Sequence, residues 1–372
     1  MMNRKFLNVL LLAIAIIGLA SCGDDDKYQG QGLKTVSDGA YVVGYGTSSI
    51  PANLSYIDYT SGESTTNVFA KANGSSLGTG ANDGLVYGSK MYIVVDGSST
   101  IEVVNKNTMK SIRQIKTTDL LGKDLGTNPR HIIAGNGKIY FTTYHGVVAA
   151  VDTASYALTN KYTVGSYPEG LIGVGNFIYV ANSDYGMGKG SISAINLTDG
   201  SVETETISGV VNPVKLFYTN NSLYVLDSGS YDADYNQIGA GVKLISGTSS
   251  TTLFDATMAD LYQGNFYFVN AAYGAKDDKG NTLVTYGIYT LTTGTKTAFT
   301  GSVDSPAQIA VDPINGRVFI ASNGMNADNS YPDYNKNGYV REFTSTGTKV
   351  KDYVCGAAPT SIFFNYGYEK VN

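Results

Sequence analysis

A short apolar run with an aromatic residue at its centre recurs seven times along the chain. No other feature constrains the fold as strongly. The runs are Ala40-Tyr41-Val42, Met91-Tyr92-Ile93, Ile139-Tyr140-Phe141, Ile178-Tyr179-Val180, Leu223-Tyr224-Val225, Phe266-Tyr267-Phe268 and Val318-Phe319-Ile320, at intervals of 39 to 52 residues. Between them lie Gly, Asn, Asp and Ser turns and alternating Val, Ile, Tyr and Thr stretches, without a sustained helical period. Such a chain is all-β. A repeat of about 40–50 residues that holds several strands is the mark of propeller blades.

A second mark precedes most of these runs: a proline, two residues, then Ile or Leu. It occurs at Pro129…Ile132, Pro168…Leu171, Pro213…Leu216, Pro306…Ile309 and Pro359…Ile362. Proline cannot donate to a strand ladder, so it belongs at a strand start. Ala81-Asn82-Asp83 and Thr257-Met258 stand where two further prolines are expected. The run near Tyr41 has no proline-led strand before it, and Thr360 to Phe364 has no aromatic run after it. Pairing the two completes one blade from opposite ends of the chain. The expected fold is therefore a seven-bladed β-propeller clasped by its N- and C-terminal strands, with no sheet edge left open by the ends.

The N-terminus reads as an address. Arg4 and Lys5 precede an apolar stretch from Phe6 to Leu19, too short for a membrane span of about 20 residues. Leu19-Ala20-Ser21-Cys22 resembles a bacterial lipobox, which implies lipidation of Cys22. Gly23-Asp24-Asp25-Asp26 resembles the acidic export signal of Bacteroidota surface lipoproteins. The expected organisation is a signal peptide over 1–21, a lipidated acidic tether over 22–38 and the propeller over 39–372. Contact with the membrane is expected through the lipid anchor alone, at an outer membrane and facing outward.

Composition narrows the chemistry. The chain of 372 residues has 29 Tyr, 44 Gly, 2 Cys, 2 His, no Trp and a net charge of −5. Two cysteines exclude a disulfide-stapled scaffold, two histidines argue against a multi-histidine metal centre, and the mild acidity argues against nucleic acid as a partner. His131 and His145 have no Ser or Asp at a spacing that marks a nucleophilic triad. They read as hydrogen-bonding or packing residues. Cys355 reads as a small core residue. A non-enzymatic protein is expected.

Strand alternation sorts the loops onto two faces. Short turns such as Gly135-Asn136-Gly137 belong to one face. The loops after each aromatic run and those that carry the prolines belong to the other. Insertions over 181–190, 227–241, 270–287 and 322–338 all fall on this second face, where function is usually placed. The candidate ligand residues there are Tyr45, Tyr144, His145, Asn182, Tyr185, Asp227, Tyr231, Tyr235, Asn270, Tyr273, Asn323 and Tyr331, with Tyr334 beside them. Asp83, Arg130, Tyr167, Glu169 and Lys215 join them from the loops and strand starts nearest the axis. Tyrosine offers rigid contact area with a polar tip, a mixture suited to binding. Asp333, Asn335 and Asn337 match the start of an oxygen-ligand calcium loop, but Thr344 stands where a bidentate Glu belongs. A structural Ca²⁺ there is the one metal expectation. Asp152-Thr153-Ala154 resembles the Bacteroidota O-glycosylation tripeptide and falls on the short-turn face.

Taken together, the lipobox, the acidic run and the proline-led blades resemble the YncE-like surface lipoprotein propellers of Bacteroidota (the DUF5074 type), over the whole mature chain. That resemblance implies capture of a small nutrient, most specifically a corrinoid (vitamin B12), for delivery to a TonB-dependent outer-membrane transporter. Cobalamin is a ligand in this reading, and no cofactor is required. The alternatives are a surface scaffold or adhesion propeller that binds protein or glycan, and a propeller lactonase or hydrolase. The last needs converging carboxylates, for which only Glu169 and Asp83 are placed.

Overall fold

The computed structural model describes residues 33–278, 280 and 282–370. The stretch expected as a signal peptide, Cys22 and the acidic run lie outside them. The fold is a β-propeller of seven four-stranded antiparallel blades. Blade 1 holds Ala81–Tyr87, Lys90–Val95, Thr100–Asn105 and Ser111–Lys116. Blade 2 holds Pro129–Gly135, Lys138–Thr143, Val147–Asp152 and Leu158–Thr163; blade 3, Pro168–Val174, Phe177–Asn182, Ser191–Asn196 and Val202–Thr206. Blade 4 holds Pro213–Thr219, Ser222–Asp227, Gly241–Ser246 and Ser249–Phe254; blade 5, Met258–Tyr262, Asn265–Asn270, Thr285–Thr290 and Thr295–Ala298. Blade 6 holds Pro306–Val311, Val318–Ser322, Asn337–Phe343 and Lys349–Ala357.

The composite blade joins the two ends of the chain. Its strand order is Glu63–Thr65, Asn53–Asp58, Leu33–Gly44, Pro359–Lys370. The terminal strands pair antiparallel from Leu33↔Lys370 to Gly44↔Pro359. The strand starts at Leu33, six residues inside the stretch expected as tether, so the clasp is longer than the sequence pattern suggested.

Burial follows strand position. In most blades the second strand is buried nearly throughout, as in Lys138–Thr143 and Phe177–Asn182. A strand covered on both faces reads as a continuous apolar run rather than an alternating one, which accounts for the repeated aromatic motif. The fourth strand forms the outer edge and is polar: Thr295–Ala298 is exposed at every residue. Polar, charged edges resist pairing with other chains. First and second strands are joined mostly by two-residue turns. Asn136 and Gly137 have φ of 52° and 70°, as a type I′ hairpin requires.

Among the described residues there are three short α-helices, Val68–Asn73, Thr117–Leu121 and Lys123–Gly126, within a fold that is otherwise β. They sit in connections between blades and are too short to show a helical period. Among the described residues no helix is long and apolar enough to cross a membrane.

The described chain divides into two compact units. Blades 2 to 5 make up the first, over 130–133 and 138–296. It has its own apolar clusters, including one around Phe217, Phe254, Phe266 and Phe268. The second contains the composite blade and blades 1 and 6, with clusters around Tyr41 and Phe363 and around Phe319 and Phe364.

Candidate functional site

Proline at the first strand of a blade does more than mark its start. In blades 3, 4 and 6 the ladder slips by a residue directly after it, between Pro168 and Leu171, Pro213 and Lys215, and Pro306 and Gln308. Blade 1 slips in the same place, between Ala81 and Asp83. A bulge re-aims side chains out of the alternation of the strand. Each of these positions places a polar group against a neighbouring strand start. Lys215 Nζ donates to Asp260 Oδ1 at 2.9 Å and to the Ala259 carbonyl at 3.1 Å. Gln308 Nε2 donates to the Thr360 carbonyl at 3.0 Å, and Ser361 donates to Asp83 Oδ1 at 2.9 Å.

The densest of these junctions lies in the first unit, between blades 2 and 3. Arg130 Nε donates to Glu169 Oε2 at 3.0 Å, and His131 Nε2 lies 3.5 Å from the same oxygen. The Tyr144 hydroxyl donates to Glu169 Oε1 at 2.9 Å. The Arg130 guanidinium also lies 4.5 Å from the centre of the Tyr144 ring. Thr142 Oγ1 holds the backbone in place: it donates to the Glu169 carbonyl at 3.0 Å and accepts from the His131 amide at 3.0 Å. Burial alone would raise the Glu169 carboxyl. Hydrogen bonding from His131, the charges of Arg130 and His131 and the Arg130 hydrogen bond outweigh it and hold that carboxyl below its ordinary value,. Gly170 follows because nothing larger fits: a Cβ there would stand 2.7 Å from the Val214 carbonyl oxygen.

Three tyrosine rings stand beside this junction. Tyr144 is edge-on to Tyr167 at 5.5 Å and to Tyr185 at 6.3 Å, and Tyr167 and Tyr185 are 5.3 Å apart. Tyr167 and Tyr185 are 41% and 68% exposed. Both adopt left-handed backbone, at φ 49° and 52°, which is unusual for a bulky residue and costs about 1 kcal/mol or more. Ser183 fixes both. Its hydroxyl donates to the Tyr167 carbonyl at 2.9 Å and accepts from the Tyr185 amide at 3.2 Å. The result is an exposed aromatic platform whose inner edge rests on a buried ion pair.

A second tyrosine group belongs to the same unit. Tyr231 and Tyr235 sit on the loop between the second and third strands of blade 4, and Tyr273 on the matching loop of blade 5. Together they line a shallow depression of about 310 Å³.

Other expected ligand residues are built into the blades. Asn182 is fully buried, and its amide donates to Ser191 and Ser193 at 3.2 and 2.9 Å. Asp227 is fully buried, ion-paired to Lys243 at 2.6 Å, and accepts from the backbone of Val211, Asn212 and Gly229. Asn323 is buried and turns its amide to Ser305. These residues, like the half-buried Asn270, end a second strand or follow it directly. There a polar side chain ties down the neighbouring loop or strand instead of facing solvent. His145 is exposed in the short loop after Tyr144.

In the second unit, Tyr45, Tyr331 and Tyr334 are exposed. Of the calcium-loop residues, Asp333 Oδ1 accepts from the Asn335 amide at 3.0 Å, Asn335 Oδ1 accepts from Thr47 at 2.7 Å, and Asn337 begins a strand paired with Ala357. Among the described residues no group of three or more His, Cys, Asp or Glu is gathered as metal ligands would be.

Sequence reasoning missed Ser183, Thr142, Asp260 and Gln237. A polar residue one or two places after each strand-start proline was the available signal for these links.

No family model matches the chain, and no curated protein matches it. Among solved structures, a chain of Kuenenia stuttgartiensis hydrazine synthase superposes with a TM-score of 0.57 at 14% identity, covering 78% of this chain and 95% of that one. A functionally unknown protein from Desulfotomaculum acetoxidans superposes at 0.58 with 12% identity, over 88% of this chain and 99% of that one. The likeness is one of fold.

Proposed function

We propose that the protein is a non-enzymatic ligand-capture propeller, and that its ligand is a flat, amide-edged nutrient of the corrinoid class. The observation that carries this reading is the Tyr144–Tyr167–Tyr185 platform. Two of its rings are held in strained backbone conformations, Tyr185 largely and Tyr167 partly open to solvent. Strain kept at exposed side chains is the pattern of a binding site. A corrin ring offers a broad face for stacking and a rim of amides for the phenol hydroxyls. Glu169 supports the non-enzymatic reading, because both of its carboxylate oxygens are already engaged by Arg130, His131 and Tyr144. It supports the platform rather than waiting for a substrate proton.

In this reading the lipidated N-terminus holds the propeller at the outer surface of the outer membrane, and captured ligand passes to a TonB-dependent transporter. Equilibrium dialysis tests the ligand directly, because the visible absorption of cyanocobalamin reports its own partition. Retention by the wild-type protein, lost in Tyr185→Asn, supports capture. Equal partition across the membrane rejects a corrinoid ligand and favours a scaffold that binds protein or glycan.

A further inference from the structure

We infer that Tyr231, Tyr235 and Tyr273 form a second binding site in the same unit, for the pyranose ring of a neutral sugar, and that Gln237 is its positioning residue. This site shares no residue with the Tyr144–Tyr167–Tyr185 platform and does not depend on the corrinoid reading.

The site is built rather than incidental. Ser230–Tyr231 pairs with Gln237–Ile238 as a small hairpin, with Tyr231 opposite Gln237. At its tip the Asp232 carboxylate accepts from the amides of Asp234 and Asn236, and Tyr235 is held at φ 63°. Gln237 then ties the hairpin to the blade 5 loop. Its amide donates to the Tyr273 carbonyl at 2.8 Å, and its side-chain oxygen accepts from the Tyr273 amide at 3.2 Å. Its side-chain nitrogen donates to the Ser228 carbonyl at 2.9 Å. Gly274 lets the loops meet: it has φ 81°, and a Cβ there would fall 2.1 Å from Asn236 Oδ1. One glutamine thus fixes rings from two blades around one depression.

Size, shape and charge select the ligand class. The depression, about 310 Å³, is at the small end of ligand sites, roughly 300–1,000 Å³. It suits one ring rather than a macrocycle. It is shallow, and its tyrosines are 59%, 74% and 67% exposed. A bound group therefore keeps one side in water. A pyranose satisfies both demands, with an apolar C–H face for the phenol rings and a hydroxyl rim for solvent and the phenol oxygens. The two loops carry Asp232, Asp234, Asp277 and Asp278 against Lys276 and Lys279 in the sequence, a balance that disfavours anionic ligands.

The chain has no Trp, so a tyrosine ultraviolet difference spectrum is free of tryptophan absorbance, and the variants assign the signal to this site. Maltotriose, cellotriose and mannotriose are the probes. A saturable difference signal is expected with at least one of them. Tyr273→Ala should weaken it at least tenfold and Gln237→Ala several-fold. Gln237→Glu, which keeps the oxygen that accepts from Tyr273, should restore part of the loss. Tyr185→Asn should leave it unchanged. Silence with all three sugars overturns the proposal, and so does a signal indifferent to Tyr273→Ala. Cyanocobalamin retention by Tyr273→Ala separates this site from the platform: sugar affinity should fall at least tenfold while retention stays at the wild-type level.

Discussion

The Tyr144 hydroxyl donates to Glu169 Oε1 at 2.9 Å while the Arg130 guanidinium, itself bonded to Glu169, lies against the same tyrosine ring. One carboxylate thus sets the position of a cation and of the aromatic ring that the cation touches. Removing it disturbs both.

Glu169→Gln should therefore destabilise the protein by about 3 kcal/mol at neutral pH, the scale for leaving a buried partner charge unpaired. The effect should depend on pH. The folded carboxyl lies below its ordinary value of 4.5. Its contribution is therefore complete above the ordinary glutamate range and is lost as pH falls through the depressed value. Urea titrations of wild type and variant should differ at neutral pH and converge in acid.

Tyr167→Gly and Tyr185→Gly should leave the fold intact and lower stability by no more than about 1 kcal/mol each, because relief of the positive-φ strain offsets the larger unfolded-state entropy of glycine. Tyr185 is 68% exposed and loses little burial, whereas Tyr167, at 41%, loses more of its packing on Tyr144 and Tyr185. Loss of ligand out of proportion to a small change in stability in the same variants is the outcome expected of a platform held strained for binding. Thermal melts paired with dialysis measure both.

The buried Lys243–Asp227 pair makes a different forecast. Lys243→Met should cost about 3–5 kcal/mol by stranding the Asp227 carboxylate. The double variant Lys243→Met with Asp227→Asn should recover part of that loss. A double-mutant cycle by urea denaturation gives the coupling.

Cys355 is fully buried, and burial pushes its thiol up to about 12. In a chain that begins at Gly23 it is the one thiol. A disulfide exchange reagent near pH 8 should leave it unmodified in the native protein and titrate one equivalent in guanidinium.

Much of the fold was legible because blade chemistry repeats. A second strand covered on both faces must be apolar throughout, so Met91-Tyr92-Ile93 and Phe266-Tyr267-Phe268 announce themselves. A strand start tolerates proline, so Pro129 and Pro213 mark blade borders. The missing partner of each terminal strand pointed to the composite blade. Site residues were less legible. Asn182 and Asp227 look like loop residues next to flexible insertions, yet each ends a strand, and burial turned them into internal ties. Arg130 and Glu169 were visible as polar residues at strand starts, and Tyr144 as a loop residue after an aromatic run. Their junction depends on the bulge after Pro168, which no one-dimensional pattern displays. Gln237 was invisible because its work is done through backbone groups of a loop in the next blade.

The most direct test is calorimetric titration of cyanocobalamin into the wild-type protein and into the Tyr167→Gly, Tyr185→Gly double variant. A saturable one-to-one heat in the wild type, reduced at least tenfold in affinity in a variant that remains folded at the titration temperature, is the expected result. Absence of heat in the wild type, or equal affinity in the two proteins, contradicts the assignment of the tyrosine platform as a corrinoid site.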